Sequence, residues 1–160
     1  MSDAAGRFAE AAAAVGLDPD VRRFPAGTRT ADDAARAIGC DVGQIVKSLV
    51  FVAGSEPVLA LTSGRNRVDP AKLAVVCGAA DARKATADEV RTATGYAIGG
   101  TPPFGHPTPL RCFADPDLMG FDMVWAAGGT PESVFPIGPE ELLRVAGAQV
   151  APFTETRPAG

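Results

Sequence analysis

Histidine is almost missing from this 160-residue sequence: His106 stands alone, with one tryptophan and one tyrosine. One imidazole cannot build a multi-histidine zinc site. Nothing in the sequence places it beside a serine, so no Ser-His-Asp triad can be assembled. Its neighbours are prolines, which favours a structural or incidental role. Cysteine is scarce too. Cys40, Cys77 and Cys112 lie far apart, show no CxxC spacing and are odd in number, which does not suit a disulfide framework. They read as small buried hydrophobes. Long apolar runs are lacking: the alanines at 11–14 are too few for a signal or a membrane span, so a cytoplasmic location with no membrane partner is expected. Basic charge is not in excess, and the net charge of −4 argues against a strong nonspecific nucleic-acid binder. There is no GxGxxG after a strand, no P-loop and no GxSxG, so nucleotide-binding folds and serine hydrolases have no motif here. No metal or other cofactor is expected.

What the chain does have is glycine (18) and proline (14) at informative places, and apolar residues at 46%. The length suits one domain, set at residues 1–153, with 154–160 as a flexible tail. Residues 2–15 read as an alanine-rich amphipathic helix stopped by Gly16, and 20–25 as a short strand. Thr30 is a candidate N-cap for a helix over 31–38, with Gly39 as its stop. Residues 44–53 are dense in β-branched and aromatic side chains and predict a buried strand, paired through Gly54-Ser55 with a second at 57–62. Asp69-Pro70 opens a helix to about Cys77. Thr86 to Glu89 is a capping box opening another that ends before Gly95. Strands are expected at 110–114, 122–127 and 133–137, and a last helix at 139–145. The expected fold class is α/β, with a mixed or largely antiparallel sheet flanked by short helices.

Three places could carry chemistry. Lys47 lies inside the most apolar strand, where it either faces solvent by alternation or is held at a cleft as a cation for a phosphate or carbonyl oxygen. Gly99-Gly100, followed by Thr101-Pro102-Pro103, forms a constrained loop that either aims backbone N–H groups at a ligand or merely connects. Gly128-Gly129 is a similar turn. Charge is uneven: residues 65–91 hold six Lys/Arg against four Asp/Glu, whereas 113–160 hold two against seven. Arg65, Arg67 and Lys72 are phosphate contacts or ordinary solvated charges.

The ordered series Thr30 to Gly39, Ile45-Val46-Lys47-Ser48-Leu49, Arg67-Val68-Asp69, Thr94 to Gly105, Ala127-Gly128-Gly129 and Pro139 to Leu143 resembles the YbaK/ProX family. That family is related to the editing insertion domain of bacterial prolyl-tRNA synthetases, and the likeness covers about residues 20–148. The resemblance implies a YbaK-like single domain with a central mixed, partly closed sheet. It implies hydrolysis of the ester joining a wrong small amino acid to tRNA, carried out in trans. Discrimination by one methylene or hydroxyl reaches only about 10- to 200-fold, so a second, hydrolytic pocket is needed. The family's lysine falls on Lys47 and its glycines on Gly99, Gly100, Gly128 and Gly129. Lys47 and Gly100 are the expected catalytic positions, and Thr30, Ser48, Gly99, Thr101, Ala127, Gly128 and Gly129 the expected substrate contacts. Expected partners are the aminoacyl-tRNA 3′ end and a synthetase or elongation factor that delivers it. Thr30 and Ala127 depart from the cysteinyl-specific branch, which carries an aromatic and a serine there, so a pocket bordered by Thr30, Ser48 and Ala127 could suit alanine, serine, threonine or an uncommon small amino acid. Two other readings stay open: a module that binds aminoacyl-tRNA or a nucleotide without hydrolysis, and a hydrolase of small non-tRNA esters.

Overall fold

The computed structural model describes residues 3–24 and 30–156. Local chemistry sets most helix ends. α1 (Ala4–Ala14) is capped by Asp3. α2 (Ala31–Ile38) begins where Thr30 Oγ1 accepts from the Asp33 amide at 3.1 Å and stops at Gly39, whose φ of 85° suits only glycine. α3 (Pro70–Cys77) follows the Asp69 cap, and α4 (Ala87–Thr94) follows the capping box between Thr86 and Glu89. α5 (Pro139–Ala146) closes the helical set among the described residues.

The strands are β1 (Arg22–Arg23), β2 (Val46–Ala53), β3 (Glu56–Ser63), β4 (Ala82–Lys84), β5 (Arg111–Ala114), β6 (Val124–Ala127), β7 (Ser133–Ile137) and β8 (Ala148–Val150). They form two sheets. One has five strands in the order β4-β2-β3-β5-β8, and the other three in the order β1-β7-β6. The β2/β3 hairpin is antiparallel and registers Lys47 opposite Thr62. β5 and β8 add in parallel, so the larger sheet is mixed. The mixed α/β character matches the sequence expectation. The partly closed central sheet does not: the two sheets are open and, among the described residues, meet at one parallel bridge, Ile45 to Trp125.

Several boundaries differ from expectation. The strand expected over 20–25 is Arg22–Arg23, with position 25 outside the described residues. The start of the 44–53 strand is a short 3₁₀ turn, Val42–Gln44, capped by Asp41. β4 and β8 carry no strand signal in the sequence because each is three residues long and interrupted by polar side chains, Arg83 and Lys84 in one and Gln149 in the other. The expected tail is partly outside the described residues. Thr154 bridges Val68, and the Glu155 amide donates to the Arg67 carbonyl at 2.8 Å.

Alternation along β2 sends Val46 and Val50 into one core and Phe51 and Ala53 into another beneath α3. The first core holds the ring cluster Phe8, Phe104 and Phe135, with centroids 5.0–6.2 Å apart. Phe104 belongs to the Gly-Pro loop, so this cluster ties that loop to α1 and β7. His106 does the same within the loop, donating through Nε2 to the Pro102 carbonyl at 2.8 Å.

Candidate active site

Where the two sheets meet, α2, β2, the segment after β4, the Gly-Pro loop and β6 enclose a cavity of about 660 Å³. That volume lies within the usual range for a small-ligand site. Its apolar wall includes Ile45, Val90 and Trp125; its polar side includes Lys47, Ser48, Lys84 and Asp32.

The structure brings Thr30, Lys47, Ser48, Gly99, Thr101 and Ala127 together around this cavity. Thr30 Oγ1 already accepts the helix-cap hydrogen bond, so its hydroxyl hydrogen is the part left to donate. Ser48 Oγ is buried and has no hydrogen-bond partner among the described residues. Gly100, Gly128 and Gly129 lie behind the wall. The Gly100 amide donates to the Ala97 carbonyl at 3.0 Å, and a Cβ there would come within 2.9 Å of Thr130 backbone atoms. The Gly128 amide donates to the Ser133 carbonyl at 2.8 Å, and Gly129, at φ 103°, packs so tightly on α1 that a Cβ would sit 2.8 Å from the Ala4 carbonyl. These glycines permit close backbone packing. By contrast, Gly99 and Thr101 line the cavity, and their amides enter no backbone hydrogen bond among the described residues.

Lys47 is half-buried, and its Nζ donates to the Asn66 carbonyl at 2.5 Å. Burial holds its pKa below the ordinary lysine value; the charges of Arg67 and Lys84 push the same way, and Asp115 opposes them. Neither Arg67 nor Lys84 is in an ion pair among the described residues. Two other cations of the basic segment are engaged elsewhere: Arg65 with Asp41 at 2.7 Å, and Lys72 with the Thr154 carbonyl and Thr156 Oγ1 at 3.0 Å.

No thiol is primed for attack. Burial pushes Cys112 up to about 12 and raises Cys40 and Cys77 as well. Sequence reasoning missed Asn66 and Asp115, two buried polar residues beside Lys47. The signal available was Asp115-Pro116, the same Asp-Pro helix start that located Asp69-Pro70. It also missed Lys84, which lies in the unpredicted β4.

The family described as "Aminoacyl-tRNA editing domain" matches residues 25–145. A solved structure of a candidate trans-editing enzyme for prolyl-tRNA synthetase superposes with a TM-score of 0.91 at 50% identity, covering 98% of this chain and 99% of that one. The uncharacterized protein YwhH of Bacillus subtilis is 33% identical over 77% of this chain and 78% of its own length. Proline--tRNA ligase of Nitratidesulfovibrio vulgaris is 35% identical over 64% of this chain, which is 18% of that enzyme. Fold and family likeness agree on an editing domain that acts on charged tRNA. The chain belongs to the aminoacyl-tRNA editing domain family, the YbaK family, and is an aminoacyl-tRNA deacylase.

Proposed function

We propose that the protein works in trans, in the cytoplasm, removing a small wrong amino acid such as alanine, serine or threonine from proline tRNA. The observation that carries this reading is the half-buried Lys47 ammonium at a cavity that Gly99 and Thr101 also line, their amides in no backbone hydrogen bond among the described residues. The likeness to prolyl-tRNA synthetase relatives supports the choice of tRNA, and the small polar border of Thr30, Ser48 and Ala127 supports the choice of amino acid.

An aminoacyl ester is already activated, so positioning and charge stabilisation can supply the catalysis. Lys47 holds the 3′-terminal nucleotide and orients the ester. The amides of Gly99 and Thr101 receive the carbonyl oxygen as negative charge develops on it. Gly100 shapes the loop between them. Water adds to the carbonyl carbon, the ester C–O bond breaks, and the ribose oxygen leaves with a proton. The products are the free amino acid and uncharged tRNA. Ser48, which lines the cavity and whose Oγ has no partner among the described residues, accepts from the substrate's α-ammonium. Lys84 and Arg67 contribute the positive rim that an RNA phosphate needs. A partner synthetase or elongation factor can deliver the substrate, consistent with the acidic charge of the chain as a whole.

The test is hydrolysis of alanyl-, seryl-, threonyl- and cysteinyl-tRNA, each on cognate and proline tRNA, beside the matching free aminoacyl esters. Turnover restricted to charged tRNA, strongest for one or two small residues on proline tRNA, is the expected result. Equal turnover of free esters would mean a general small-ester hydrolase. Tight binding of charged tRNA with no hydrolysis would mean a binding module.

A further inference from the structure

Lysine is a flexible tether for a point charge, and a half-buried one needs something to hold it. Lys47 donates to the carbonyl of Asn66, so the question is what fixes that peptide. Asn66 is 3% exposed, and both hydrogens of its side-chain amide are used: Nδ2 donates to Asp115 Oδ2 at 2.7 Å and to Asp117 Oδ2 at 2.8 Å. Both partners are carboxylate oxygens, which match the two N–H groups of Nδ2 and not the Oδ1 acceptor. The Asn66 amide donates to the Ser63 carbonyl at 2.9 Å, and the next carbonyl, that of Arg67, accepts from Glu155. The peptide is therefore held from both sides.

Asp115 is 1% exposed and also accepts from the Ser63 amide at 3.1 Å and the Asp117 amide at 2.9 Å. Its own amide donates to the Leu61 carbonyl at 2.8 Å, which locks it where β3 and β5 end side by side. Asn66 Oδ1 is buried with no partner among the described residues. An asparagine kept at a site that leaves one of its own acceptors unmade is poorly explained by packing alone.

We infer that Asn66, clamped by Asp115 and Asp117, is the positioning residue for Lys47, holding the ammonium in one place at the cavity and leaving its other N–H groups for the substrate. The kinetic consequence rests on the deacylase reading; the clamp itself does not. The charges that face Lys47 are Arg67 and Lys84, which disfavour its protonated form, and Asp115, which favours it; Asp32 lines the same cavity from α2.

The test has two independent arms, each on the full chain. The first follows the Lys47 side chain by NMR through a pH titration of the free protein, its signal assigned with Lys47→Arg. Wild type is compared with Asn66→Ala, Asp115→Asn and Asp117→Asn. Asp115→Asn is expected to move the Lys47 midpoint further down, and Asn66→Ala to broaden or shift the resonance of the lysine. Should Asp115→Asn fail to fold, the exposed Asp117→Asn decides, with a smaller shift in the same direction. The second arm is deacylation kinetics. Asn66→Ala is expected to lower kcat about 10- to 100-fold with little change in KM, and Asp115→Asn to bring the alkaline limb of the pH–rate profile to lower pH. Variants that lose thermal stability while Lys47 titration, the pH–rate limb and kcat stay at wild-type values would overturn the inference and leave a structural turn. Absence of deacylation in every protein, wild type included, would instead count against the deacylase reading, with the NMR arm still deciding the clamp.

Discussion

Arg22, Arg23, Arg65, Arg83, Arg111 and Arg144 each hold a carboxylate on the protein surface: Asp20, Glu132, Asp41, Glu89, Glu56 and Glu141. Lys47, Arg67 and Lys84 hold none among the described residues, although Arg67 and Lys84 both repel the Lys47 ammonium. The first group does what exposed ion pairs usually do, contributing about 0–1 kcal/mol each. The second group costs the fold electrostatic repulsion, and Lys47 adds a desolvation cost. On the function proposed above, an RNA phosphate would supply the counter-charge that these three cations lack. On that reading, a chain of net charge −4 handles tRNA through positive charge that is local.

The contrast can be broken at its strongest point first. Lys47→Ala is expected to lower kcat for deacylation about 100- to 1,000-fold, the usual loss when one stabilising donor is removed. Lys47→Arg should not restore it, because a planar guanidinium cannot replace a compact ammonium on the Asn66 carbonyl. Next in size is the response to pH. With Lys47 held below the ordinary lysine value by burial, the protonated form is lost as pH rises through that lowered value. The rate should therefore fall at a lower pH than a free lysine would titrate, and a pH–rate profile corrected for spontaneous ester hydrolysis reads this. Removing Arg67 and Lys84 together should raise KM about tenfold and make the logarithmic salt slope of tRNA binding shallower by about one for each cation. The paired group gives the smallest effects. Arg23→Ala and Arg111→Ala should change unfolding free energy by within about 0.5 kcal/mol and leave KM for tRNA at the wild-type value. Unfolding and kinetics on the same preparations would show whether the two groups differ as described.

Features fixed by near neighbours along the chain are legible from the sequence alone. Thr30, Asp69 and Thr86 start helices because a side-chain oxygen reaches an amide two or three residues away, a relation visible in sequence. The β2/β3 hairpin is legible from its two apolar runs and the turn between them. β4 and β8 are not, since each is three residues long and becomes a strand only by pairing with β2 or β5. The division into two sheets is equally hidden, because it turns on one bridge between Ile45 and Trp125.

The site is legible in part, and largely through the family resemblance. Strand alternation leaves Lys47 undecided between solvent and cleft; its place at the cavity depends on β3, β4 and the turn carrying Asn66. Gly99 and Gly100 are neighbours in sequence, yet the turn bond from Gly100 to Ala97 puts their amides to different uses. Asn66 and Asp115 lie 49 residues apart and meet only because β5 adds in parallel to β3. No local pattern reports such a contact.

The most direct test of the central claim is single-turnover hydrolysis of alanyl-tRNA(Pro) by wild type and Lys47→Ala, with binding of the same tRNA measured alongside. Rapid release of alanine by the wild type is expected, with a loss of about 100-fold or more in the variant, beyond any weakening of binding. Release at the wild-type rate by Lys47→Ala would contradict it.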